Sequence, residues 1–240
     1  VVIGDVHHHT GLAVEGLERI EMEFGRAVDQ VFSLGNLGLF LDESDWEFPT
    51  GPTKYRQPEE SPKIREAWKN WRWPLSMIAG NHEPFHRLRD WPPEYFQGKL
   101  EFTNAGELKH SLGGFRVAGL SKIFHPDELE FLTVLERRTM KLPPVKSWPE
   151  MVPLVRSGKI SRSRLIYYKQ TEIEQMKRLP FRPHLLLLHD WPSAPEHIAQ
   201  VYERRSEAEI VAASKSPYVS VVDITLAFRF STGGIPKSSP

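Results

Sequence analysis

Apolar positions in this chain come in short blocks divided by polar turns, and the period within each block predicts an element. Val1-Val2-Ile3 is an unbroken apolar run that predicts a fully buried first strand. After the His7-His8-His9-Thr10-Gly11 loop, Leu17, Ile20, Phe24 and Ala27 recur at helical spacing and predict a helix over residues 14–26, packed on the sheet. Val28–Leu34 reads as the next strand, ending at Gly35-Asn36-Leu37-Gly38. Residues 42–60 are acidic and rich in Pro and Gly, which predicts a long loop. Ser61-Pro62 then signals a helix start, with Ile64, Trp68 and Trp71 on one face. Leu75–Ala79 is a third strand. The order so far is β-α-β-α-β, which predicts an α/β fold with helices on the faces of a sheet.

Beyond Asn81 the texture changes. Leu100–Thr103, Glu107–Ser111 and Phe115–Leu120 alternate between glycines and predict hairpin strands. From Pro126 to Ser161 the prolines at 143, 144, 149 and 153 interrupt any helix, so this stretch is expected to be a weakly ordered insertion over the site. Ser163–Leu179 returns to helical spacing, with Leu165, Tyr168, Ile173 and Met176 inward. His184–Leu188 reads as a buried strand, 195–213 as mostly helix, and Tyr218–Ile224 and Leu226–Phe230 as two last strands. The expected organisation is one domain over 1–231 and an unstructured tail over 232–240.

Composition narrows this only a little. The 240 residues are 40% hydrophobic and 26% charged, ordinary for a globular chain. There is no run of 18 apolar residues, so no spanning helix and no membrane partner is expected. Cysteine is absent, which excludes disulfides and thiolate metal sites and fits a cytoplasmic location. The net charge of zero hides an asymmetry. Between Arg137 and Lys169 nine basic residues face the single acid Glu150, a candidate contact for phosphate or a polyanion, whereas residues 42–60 lean acidic.

The chemistry is concentrated at strand ends. The first strand runs into Gly4-Asp5-Val6-His7, the third into Gly80-Asn81-His82-Glu83, and the run Leu185–Leu188 into His189-Asp190. Three strands ending in His, Asp or Asn describe a metal site at one sheet edge, where open α/β sheets place their ligands.

In order and spacing, Asp5-x-His7, Gly35-Asn36, Gly80-Asn81-His82-Glu83 and His189 resemble the calcineurin-like metallophosphoesterases. Within them the chain is most similar to the RNA lariat debranching enzymes, through Pro52-Thr53-Lys54-Tyr55-Arg56, Leu112–Phe124, Ser161–Tyr168 and His189-Asp190-Trp191-Pro192. The resemblance implies a four-layered α/β/β/α sandwich of two mixed sheets flanked by helices. It also implies two metal ions about one carboxylate. Asp5 and His7 would hold one ion, Asn81 and His189 the other, and His82 would act as general acid or as a donor to the transition state. Arg162 and Arg164 would contact substrate.

The pattern departs from the family at two places. The bridging aspartate falls on Asn36, and Asp223 and Thr225 stand where Gly-His-x-His would supply two more ligands. Two dications about 3.5 Å apart repel by roughly 19 kcal/mol at an effective dielectric near 20, and a neutral amide offsets none of it. The expectation is one or two ions at Asp5, His7, Asn36, Asn81, His189 and Asp223. Mn²⁺ is favoured for these oxygen-rich ligands, with Mg²⁺, Fe²⁺ and Zn²⁺ as alternatives. The expected function is a metal-dependent phosphoesterase, of phosphodiesterase type, acting on a phosphate ester such as RNA or a nucleotide. The alternative is a pseudo-phosphoesterase that binds a ligand or a protein.

Overall fold

The computed structural model describes residues 1–48, 56–88, 94–112, 114–123, 125–142 and 144–189. The elements expected over 195–213, 218–224 and 226–230, the tail, Asp223 and Thr225 lie outside the described residues.

Four parallel strands form the first sheet in the order β1 (Val2–Ile3), β2 (Val31–Ser33), β3 (Leu75–Met77) and β4 (Leu100–Phe102). The second sheet holds β5 (Ala105–Leu112), antiparallel to β6 (Phe115–Leu120), which is parallel to β7 (Leu185–Leu188). Side chains of a strand alternate between its faces, so β2 and β3 feed two cores. Val31, Leu75 and Met77 join the larger one with Leu17, Trp68, Trp71, Trp73 and Phe96. Phe32 and Ile78 face the second sheet and meet Leu108, Val117, Leu185 and Leu187. The architecture is an α/β sandwich of two sheets flanked by helices.

The helical side is built by α1 (Thr10–Phe24) and α2 (Ser61–Lys69). α1 ends at Gly25 in the left-handed conformation, so Ala27 lies past the helix and is exposed, and Phe24 is exposed as well. The buried stripe is instead Leu17, flanked by Ala13 and Val14. In α2, Ile64 and Trp68 turn inward as expected, and Trp71 is fully buried just beyond it. Each such side chain contributes about 1.5–3 kcal/mol through burial.

Several expectations are corrected. β1 is half-buried, because it is the outermost strand of its sheet among the described residues. β7 alternates, with Leu186 and Leu188 exposed on the face turned from the first sheet. Leu100–Phe102 pairs with β3 rather than forming a hairpin; the chain changes sheets between β4 and β5. The loop after Phe40 contains a tight turn, Glu43–Glu47, capped by Asp42, and buries Asp45, Trp46 and Phe48.

Residues 126–161 contain α3 (Val134–Thr139) and α4 (Trp148–Arg156). Pro149 lies in the first turn of α4, where its missing N–H costs nothing, and Trp148 and Met151 anchor the helix in the main core. The helix expected over 163–179 is broken: Arg162–Leu165 is a single tight turn, and α5 (Gln170–Lys177) starts after an extended link. Tyr167 in that link forms a β-bridge with Ile123. Among the described residues no helix is long and apolar enough to cross a membrane.

Candidate functional site

The site forms where β1, β2 and β3 end. The loop after β1 lies against the loop after β2: Asp5 N donates to Gly35 O at 3.1 Å, His7 N to Asn36 O at 2.6 Å and His8 N to Leu37 O at 3.1 Å. This pairing holds Asp5, His7, His8 and Asn36 at φ of 52°, 44°, 65° and 51°. Non-glycine residues pay on the order of 1 kcal/mol each there, a cost that surrounding contacts must offset. Gly35, at φ 98°, brings the β2 loop onto the β3 loop: a Cβ on Gly35 would stand 2.3 Å from Gly80 N, and one on Gly80 2.2 Å from Asn36 Oδ1. Only glycine allows this approach.

Asn36 is buried at the centre. Its Nδ2 lies 3.0 Å from Asp5 Oδ1, 3.3 Å from Asn81 Oδ1 and 3.1 Å from His189 Nε2. Its Oδ1 accepts the His82 backbone N–H at 3.0 Å. That bond fixes which end of the amide points inward, since turning it would set NH₂ against N–H. His189 reaches the cluster from β7 of the other sheet, and its Nδ1 donates to Leu34 O at 2.8 Å. With that proton placed, Nε2 of the neutral ring presents a lone pair. Yet Nε2 also lies 3.1 Å from Asn81 Oδ1, another acceptor. Three acceptors drawn from three strand ends thus converge on one point.

His7 Nε2 stands 3.6 Å from Asp5 Oδ1, and both side chains are open to solvent. The His82 ring meets His7 edge to face with centroids 5.4 Å apart. Burial, then His7 and His189, hold the His82 imidazole below its ordinary pKa. Asp5, His7, Asn36, Asn81, His82 and His189 therefore share one edge.

Glu83 carries a role that sequence reasoning did not assign, although it completes the Gly-Asn-His-Glu run. It is fully buried, its Oε1 accepts the Leu37 N–H at 2.7 Å, and it ties the β3 loop to the β2 loop. Burial pushes its carboxyl up to about 7. Arg162 donates to Glu47 O at 2.7 Å, and Arg164 pairs with Glu128 at 3.1 Å and with Glu136, so both are engaged within the chain. Lys169 of the basic stretch is buried against Glu128.

Among the described residues no group of three or more His, Asp or Glu side chains gathers to hold a metal. The acceptors here are one carboxylate, one imidazole and one amide, and they fit a single ion. Asp5 Oδ1, Asn81 Oδ1 and His189 Nε2 already face a common point. The Nδ1–H···O=C bond of His189 is the support that orients a metal-ligating imidazole. Asn36 does not fit as a bridge, because the atom it offers is an amide nitrogen without a free lone pair.

No family model matches the chain. The chain is 26% identical over 198 residues to the lariat debranching enzyme of Mus musculus, an alignment covering 80% of this chain and 32% of that protein. The chain therefore spans about a third of the length of the curated relative it matches. The similarity is distant.

Proposed function

We propose that this chain is a phosphodiesterase of the metallophosphoesterase kind that works with one divalent ion. The observation that supports the reading is the convergence of Asp5 Oδ1, Asn81 Oδ1 and His189 Nε2 on the Asn36 amide nitrogen. Asn81, His189 and Asp5 would hold the ion in place of the Asn36 Nδ2 donor they now share, and Mn²⁺ suits this oxygen-rich set. When bound, such an ion generates hydroxide near neutral pH and offsets charge on phosphoryl oxygens.

The chain's own residues do the rest. The Leu34 carbonyl holds the His189 ring in one tautomer, and Glu83 holds the β2 loop at its distance from β3. His82, beside His7, donates a hydrogen bond to the leaving oxygen. The exposed Arg138, Lys141, Lys146, Arg156 and Lys159 offer charge to a polyanionic ester, with RNA one candidate.

The test is the metal content of the purified chain together with hydrolysis of an aryl phosphodiester in excess Mn²⁺. One ion per chain, with turnover lost in His82→Ala and in His189→Ala, is expected. No bound ion and no turnover would favour the second reading, a metal-free binding module. That reading draws on the inward Asn36 amide, which satisfies the cluster with hydrogen bonds in place of a cation.

A further inference from the structure

We infer that Ser121 and Lys122, just beyond β6, are positioning residues that clamp the strand end carrying Asn81 and His82, with Glu172 of α5 as their anchor. The inference rests on reading Asn81 and His82 as working parts of the site.

Ala79 is the last residue before Gly80-Asn81. Its N–H donates to Ser121 Oγ at 2.9 Å, and its carbonyl accepts the Lys122 N–H at 2.7 Å. Both backbone groups of Ala79 are thus held by the two residues that follow β6 of the second sheet. Ser121 also reaches the link just past β4: its Oγ donates to Thr103 O at 2.7 Å and its N to Asn104 O at 2.8 Å. The next residue, Gly80, has no side chain with which to fix its own position. The clamp on Ala79 therefore sets where Asn81 Oδ1 stands relative to Asn36.

Lys122 holds this place at a cost. Its φ is 76°, a conformation that non-glycine residues avoid, and its side chain is 1% exposed. What secures it is the bond from Nζ to Glu172 Oε1 at 2.7 Å. Glu172 is fixed in turn by Asn104 Nδ2 at 2.5 Å and by Lys169 N at 2.9 Å, the latter in its own capping box. A line of bonds runs from the first turn of α5 through Lys122 to Ala79. A buried ion pair is weak grounds for stability but a good device for fixing geometry.

The test is residue-resolved amide hydrogen exchange on the whole chain, with two variants. Ser121→Ala removes the acceptor of the Ala79 N–H. The double variant Lys122→Met/Glu172→Gln removes the ion pair without stranding a charge and keeps an acceptor for Asn104. In both, the Ala79 and His82 amides are expected to exchange at least about tenfold faster than in the parent, while Val31 and Phe32 amides keep their rates. The His82 amide is the direct reporter, because it bonds to Asn36 Oδ1. Parent-like exchange at Ala79 and His82 in both folded variants would overturn the inference. So would uniform acceleration of all amides, which marks a merely structural pair. Exchange needs no turnover, so absence of metal or hydrolysis in the parent would count against the proposed activity alone. With a hydrolysing parent, kcat is expected to fall about tenfold with KM within about twofold.

Discussion

Asn36 differs from an aspartate by one terminal atom, and that atom faces three acceptors. The amide nitrogen hydrogen-bonds to Asp5, Asn81 and His189, while Oδ1 takes the His82 N–H. In Asn36→Asp a second carboxylate would meet the Asp5 carboxylate at 3.0 Å, with no donor left between them. Without metal the variant is expected to lose about 1–3 kcal/mol, because the buried carboxylate at residue 36 would face three acceptors with no donor. With Mn²⁺ the sign reverses: the carboxylate offsets cation charge, and affinity is expected to rise at least about tenfold over the parent. Chemical denaturation without metal and calorimetric Mn²⁺ titration check the two halves separately. Equal Mn²⁺ affinity in parent and variant would show that residue 36 does not face the ion. Asn81 and His189 were legible as candidates from the strand ends, and Asn36 through the family resemblance. Which way the Asn36 amide points was not, because that depends on the backbone N–H of a residue on another strand.

Turns and strand ends carry most of the strain in this fold. The β2 and β3 loops pack backbone against backbone at Gly35, whose φ is 98° and where an added Cβ would stand 2.3 Å from Gly80 N. Gly35→Ala is expected to destabilise by about 2–4 kcal/mol, from backbone strain and overpacking together, measured by urea unfolding. At α5 the effect is electrostatic. Lys169 has a side chain 1% exposed, and burial first of all lowers its ammonium to about 8. The unfolded chain holds this proton until about pH 10.5, so between pH 8 and 10.5 the unfolded state binds more protons and stability rises with pH. Parent stability minus that of Lys169→Met is therefore expected to climb by roughly 3 kcal/mol across that window, a 2.5-unit shift at about 1.4 kcal/mol per unit. A flat difference would place the ammonium in water. The sequence showed the start of α2 and the cores of β2 and β3 well, since these follow local period and the Ser61-Pro62 signal, whereas α1 starts four residues before the expected 14 and α5 seven after the expected 163. It misjudged α1 past Phe24, where Gly25 ends the helix, and it missed α3 and α4. The prolines that argued against α4 lie in its first turn and at Pro153, and the anchoring of Trp148 and Met151 in the core outweighs them.

At the scale of the molecule, the site exists because two sheets meet: β1, β2 and β3 bring Asp5, Asn36 and Asn81, and β7 brings His189 from the other side. The β-α-β-α-β order predicted the first sheet. The change of sheet between β4 and β5 was not readable, because pairing partners are settled by burial between distant segments and not by local pattern. A ligand at such a junction stabilises both sheets at once. Ion binding to the folded chain alone raises stability by about 2.7 kcal/mol at a hundredfold excess over Kd. For a domain of this size that corresponds to about 5–10 °C in Tm. Mn²⁺ is expected to raise the melting temperature of the parent by that order, and His189→Ala to abolish the rise. His189→Ala also removes the bond to the Leu34 carbonyl, so its metal-free melting point should fall as well; the diagnostic quantity is the Mn²⁺-dependent difference within each protein. A rise that survives in His189→Ala would place the ion away from the sheet junction, and the one-ion reading built on His189 and Asn81 would fall with it.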